Sequence, residues 1–131
     1  MPIFLYSIAA AAVLIYFPYM AVGYARARVG YDLSAPRAMF DKLPPYGQRA
    51  TWAHQNSFET FMVYSVAAMM AYVTGVNSQL ASSVAIAFPV ARFFYSIFYI
   101  ADIPLLRSLM FGIGSFSCAT LFVSSIMKVM N

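Results

Sequence analysis

Three charged side chains, Glu59, Arg92 and Arg107, lie in stretches that are otherwise almost wholly apolar. A charge at the centre of a membrane helix costs at least about 2.5–3.5 kcal/mol on insertion scales, so such groups are kept where they pair with each other or with a ligand. A carboxylate holds a proton or an ammonium group, and a guanidinium grips carboxylates through a planar fork. Neighbouring residues repeat at helical spacing: Arg49, Asn56 and Glu59 fall on one face, and Arg92, Tyr95 and Tyr99 on another. Two such stripes are satisfied by facing each other, a neighbouring copy of the chain, or an anionic ligand. Read as packing, Glu59 and Arg92 form a buried ion pair that fixes helix positions; read as chemistry, they belong to a binding site. Residue types alone leave both open. His54, the one histidine, reads as a hydrogen-bonded packing group.

Arg107 carries a second argument. It follows Pro104 at the start of an apolar run, where the free amides and dipole of a helix N-terminus favour an anion. A guanidinium placed there favours a thiolate, the reactive form of a thiol. Cys118, the only cysteine, is eleven residues further on, about 16 Å by helical rise. A thiol activated at Arg107 therefore has to arrive on a ligand.

These residues need long helices to position them. Crossing about 30 Å of hydrocarbon takes about 20 apolar residues, and four segments qualify: about 3–25, 49–75, 80–100 and 104–128. The second must begin upstream of its uncharged part, which draws His54, Asn56 and Glu59 into or near the membrane. The expected architecture is a single all-α domain over residues 1–131, a bundle of four transmembrane helices. Pro18 and Pro89 predict kinks, Gly75–Ser78 a tight turn, Asp102 an N-cap and Pro104 the first turn of the last helix. Ala25 to Gln48 reads as the one long polar loop. Glu59 and Arg92 then lie about 15 Å and 12 Å from the ends of their spans on the side of that loop, where Arg107 also begins its helix. Charge from three spans converges on one half of the bundle.

Composition excludes other classes. The chain is 63% hydrophobic and 9% charged, against about 25% charged for soluble domains. The net charge is +4, and four of the eight basic residues lie in the loop, without the basic run interleaved with aromatics that nucleic-acid binding requires. One cysteine excludes an internal disulfide, and one histidine excludes a His/Cys metal cluster within a chain. The first apolar run lacks a basic flank and a cleavage site, so it is expected to be a retained span. Four basic residues against two acids between Arg26 and Lys42 place the long loop in the cytoplasm by the positive-inside rule. A transporter with Glu59 as coupling carboxylate is disfavoured, because no inverted repeat is visible.

The run Arg49-Ala50-Thr51-Trp52-Ala53-His54-Gln55-Asn56-Ser57-Phe58-Glu59, followed by Arg92-Phe93-Phe94-Tyr95, Tyr99 and Arg107, resembles the membrane-associated proteins in eicosanoid and glutathione metabolism, the MAPEG family. The resemblance covers nearly the whole chain. It implies a homotrimer with sites between subunits, binding glutathione as co-substrate, with Arg49, Asn56, Glu59, Arg92, Tyr95 and Tyr99 as ligand contacts and Arg107 as the catalytic residue that stabilises the thiolate. A hydrophobic small-molecule electrophile would reach the site from the membrane lipids. The implied activity is that of a membrane-bound glutathione, or related thiol, transferase or peroxidase; compact loops suggest a bacterial inner membrane. No metal and no nucleic acid are expected. One departure stands out. Glutathione-using eukaryotic members carry an arginine four residues before the asparagine, where this chain has Trp52, and the residue just before the asparagine is Gln55 rather than a basic one. A non-catalytic lipid-binding or scaffold protein of the same fold is the alternative.

Overall fold

In the computed structural model, which describes residues 1–131, all regular structure is helical. The elements are α1 (Pro2–Ile15), α2 (Phe17–Arg28), α3 (Pro45–Val73), α4 (Gln79–Ile100) and α5 (Pro104–Met130), with a 3₁₀ turn at Pro36–Lys42. Five of the seven prolines, Pro2, Pro18, Pro36, Pro45 and Pro104, occupy first-turn positions, where a missing N–H breaks no helical bond. Ser78 caps α4 by accepting from the Ala81 amide at 3.1 Å.

Three rods are long and apolar enough to cross a membrane: Pro2–Arg28, which combines α1 and α2, Gln79–Ile100 and Pro104–Met130. The fourth rod, α3, has 29 residues, about 44 Å at helical rise, but carries the polar run in its first half. The connection expected over Ala25–Gln48 is shorter in the structure. Helix α2 continues to Arg28 and α3 begins at Pro45, four residues before the expected start at 49. Pro44 in extended conformation followed by Pro45 at the first position provides the start signal.

Side chains of α3 meet a free carbonyl at the break in the first rod and another at Pro89. The first rod breaks at Tyr16, whose amide turns back to the Val13 carbonyl at 3.1 Å, and the Ile15 carbonyl is met by His54 Nδ1 at 2.7 Å. Pro89 removes the amide that would have bonded Ala85, and the Tyr64 hydroxyl lies 3.4 Å from that carbonyl and 2.6 Å from Ser7 Oγ. Helix α4 runs through Pro89 without interruption.

Asp102 is not the N-cap of the last helix; that position is Ile103. Asp102 instead ends α4 in the left-handed region (φ 61°). The Ile103 amide reaches the Phe98 carbonyl at 2.9 Å and the Asp102 amide that of Tyr99 at 3.2 Å, the pairing of a Schellman closure.

The core runs through the half of the bundle farther from the long connection. Tyr64, Ala67, Ala68 and Ala71 of α3 meet Phe4 and Ala11 of α1, Ala81, Ala85 and Phe88 of α4, and Leu121 of α5. Alanine at successive turns lets the helix axes approach, and the Tyr64 ring stacks on Phe88 at 3.8 Å. At the opposite end Gly47 performs the same service: a methyl there would stand 2.8 Å from Ala25 Cβ, so α2 and α3 touch only because the side chain is absent.

Candidate functional site

Helices α3, α4 and α5 bring the polar stripes together in the half nearer the long connection. Arg92, 4% exposed, projects from α4 and donates through Nη2 to Asn56 Oδ1 at 3.0 Å and to Ser57 Oγ at 3.1 Å. Its guanidinium lies over the Tyr95 ring, 3.9 Å from the centroid. Cation–π contacts of this kind contribute about 2 kcal/mol when desolvated. Gly114 of α5 packs beside the arginine stem, where a methyl would make only ordinary van der Waals contact with Phe88 and the Arg92 chain.

The Glu59–Arg92 ion pair of the packing reading does not form. The amide of Asn56 stands between the two charges, accepting from Arg92 and donating to Glu59 Oε2 at 3.5 Å. The carboxylate lies on the exposed face of α3. Arg92 Nε is buried with no partner, and an unmet charged donor in a water-poor interior is costly.

Two cavities open beside this cluster, each of about 330 Å³. The deeper holds Glu59, Thr60, Arg92, Ser115 and Cys118; the other holds Tyr95, Tyr99, Arg107 and Ser108; Asn56 and Phe111 line both. Arg107 rests over the Tyr99 ring, 4.7 Å from its centroid, at the opening turn of α5, as expected. Six of the seven residues singled out by sequence, Asn56, Glu59, Arg92, Tyr95, Tyr99 and Arg107, therefore surround two adjoining spaces. Arg49 does not line them. Its Nε and Nη2 both donate to the Ile100 carbonyl, at 3.1 and 2.9 Å, satisfying one of the carbonyls left free at the end of α4.

Sequence reasoning missed three features. Cys118 was placed far from Arg107 by helical rise, and its cavity is indeed the other one, but that cavity is shared with Arg92. Arg26, read as a loop residue, is inside α2 and only 7% exposed. With Arg37, Thr51, His54 and Gln55 it lines a third cavity of about 620 Å³ between α2, the 3₁₀ turn and α3. Its Nη1 reaches Tyr19 Oη at 3.5 Å and its Nε has no partner. The signal was available: Arg26 falls two helical turns after Tyr19, on the same face. Trp52, 43% exposed, packs on Phe40 of the 3₁₀ turn with ring centroids 5.6 Å apart. No group of three or more His, Cys, Asp or Glu side chains is placed to hold a metal ion.

Apolar rods around a polar cluster supplied by three helices define a helical membrane protein with an intramembrane polar site. The MAPEG family model matches residues 3–127, and the chain belongs to the MAPEG family. No curated protein and no solved structure matches it.

Proposed function

We propose that the protein is a membrane-bound transferase that joins glutathione, or a related thiol, to hydrophobic electrophiles, with peroxide reduction as a further use of the same thiolate. The observation that carries the reading is the convergence of Asn56, Glu59, Arg92, Tyr95, Tyr99 and Arg107 on two adjoining cavities. The groups suit a peptide thiol. Arg92, which lines the deeper cavity, supplies a cation for a carboxylate, and Glu59, free of any arginine partner, offers a carboxylate to an ammonium group. Arg107, at a helix N-terminus and over Tyr99, is the cation for a thiolate. In the transfer step the thiolate sulfur bonds to the electrophilic carbon, whose leaving group or π pair takes the displaced electrons. Arg107 holds the sulfur as an anion until attack.

The proposed assembly is a homotrimer of four-span subunits. Glu59 on the exposed face of α3 supports it, because a carboxylate facing lipid is stabilised when a neighbouring copy covers it. The excess of arginine and lysine in the first connection supports a cytoplasmic location for that loop, and we place the protein in a bacterial inner membrane. Arg49 enters this scheme as the residue that holds the end of α4, which carries Tyr99, against α3.

A second reading, a lipid-binding protein without catalysis, is favoured by Trp52, which supplies no guanidinium for a carboxylate. Calorimetric titration of glutathione into detergent-solubilised protein separates the two. Saturable binding with ultraviolet absorbance of a bound thiolate, lost in Arg107→Ala, is the result expected of the transferase. Co-purified lipid with neither signal would establish the alternative.

A further inference from the structure

The third cavity, of about 620 Å³, takes no part in the thiol-transfer scheme. Helix α3 presents Thr51, His54, Gln55 and Phe58 to it, none of which lines the two cavities beside Arg92 and Arg107. The guanidinia of Arg26 and Arg37 share this space, and none of the four acidic residues of the chain is among its walls. Arg26 is more than nine-tenths buried, and its one side-chain partner is the neutral Tyr19 hydroxyl at 3.5 Å. Its Nε is enclosed, whereas Nη2 makes no hydrogen bond and is not enclosed, so the far end of the group is the part open to a ligand. Arg37 is exposed on the 3₁₀ turn and Gln55 on α3. A buried cation without a counter-charge is costly, and here the counter-charge has to come from outside the chain.

Depth narrows the source. Arg26 lies twenty-four residues from Pro2 along the first rod, about 36 Å by helical rise. The hydrocarbon is about 30 Å thick, so the cavity stands at headgroup level on the side of the long connection. Tyr19 and Phe58 lie farthest from that connection among its lining residues on α2 and α3, and they give it an aromatic wall toward the bilayer. At about 30 Å³ per water, the volume holds a phosphate together with the glycerol attached to it.

We propose that this cavity binds the phosphate of an anionic phospholipid from the leaflet on the side of the long connection. Arg26 and Arg37 donate to the phosphate oxygens, and the acyl chains leave over Tyr19 and Phe58 into the bilayer. Basic pockets between membrane helices hold anionic headgroups in this way. Without a carboxylate in the walls, the ammonium of a zwitterionic headgroup has no partner and faces two like charges, so the site selects anionic lipid. Arg37 belongs to the 3₁₀ turn and Arg26 to α2. A phosphate held by both ties the connection to the bundle, whether or not a thiol is bound elsewhere.

The test is native mass spectrometry of the full-length protein in detergent, titrated with dioleoyl phosphatidylglycerol or with dioleoyl phosphatidylcholine. One phosphatidylglycerol per chain is expected, bound at least tenfold more tightly than phosphatidylcholine. Arg37→Gln, at an exposed position that folding does not need, is expected to weaken retention about tenfold, as loss of a charge-assisted hydrogen bond does. Arg26→Gln is expected to weaken it further. Arg28→Gln, which removes an exposed charge from the same helix outside the cavity, is expected to leave retention at the wild-type value. Equal retention of the two lipids overturns the proposal, and so does an Arg28→Gln loss as large as that of Arg37→Gln, which would mark general surface charge. Displacement of the lipid by millimolar inorganic phosphate overturns it in favour of a soluble phosphate ligand. Displacement by glutathione overturns it by giving the cavity to the thiol peptide. Glutathione titration of the lipid-free protein is read separately, so failure here and failure of the transferase reading are told apart.

Discussion

The two halves of α3 do different work. From Ala67 to Ala71 it presents small side chains to a dry core in which Tyr64 has its hydroxyl engaged. From Asn56 to Glu59 it presents an amide and a carboxylate to a cavity, next to a buried arginine with an unmet donor. The first arrangement is what packing energy favours; the second costs stability, and membrane proteins keep such costs where a ligand recovers them. The contrast teaches that one continuous helix holds a rigid far half as the frame for an incompletely satisfied near half.

Substitutions at the two ends test that division. Arg107→Ala should have the largest functional effect, lowering transferase turnover by about a hundredfold or more, as removal of a single anion-stabilising donor does elsewhere, with thermal stability in detergent little changed. Arg92→Ala should weaken glutathione binding measured by calorimetry about ten- to a hundredfold, corresponding to about 1.5–3 kcal/mol for a charge-assisted hydrogen bond. In the far half the pattern should reverse. Tyr64→Phe removes the hydroxyl beside Ser7 and the Ala85 carbonyl and should cost about 1–2 kcal/mol of stability, read as a lower unfolding midpoint, while glutathione affinity stays at the wild-type value. If Tyr64→Phe altered binding as strongly as Arg92→Ala, the division would be lost. The smallest effect is expected at the turn between α4 and α5. Asp102 occupies a left-handed conformation that glycine adopts freely, so Asp102→Gly should raise stability by up to about 1 kcal/mol.

Much of the frame was legible because helices in an apolar solvent follow from run length, and because proline marks where they start. Convergence of Asn56, Glu59, Arg92, Tyr95, Tyr99 and Arg107 was legible from helical period and distance to the loop. What escaped depended on which atom meets which. Spacing cannot show that Asn56 would stand between Glu59 and Arg92, nor that Arg49 would turn toward the end of α4. Asp102 before Pro104 carries the residue pattern of an N-cap, but the Schellman closure of α4 claims its backbone. The extent of α2 was masked by the arginines in its last turns, which read as loop until Arg26 is seen buried against Tyr19.

The clasp between Arg49 and the Ile100 carbonyl also bears on how the protein meets bilayers of different thickness. Because α3 is tied to the end of α4 there, those two rods cannot slide past one another at the site end when lipid chains lengthen or shorten. Mismatch with the bilayer is then taken up at their other ends, around the Thr74–Ser78 turn, where the backbone is not helical and no charged side chain intervenes. Lipid composition can change the tilt of the bundle while the spacing of Asn56, Arg92 and Tyr99 holds.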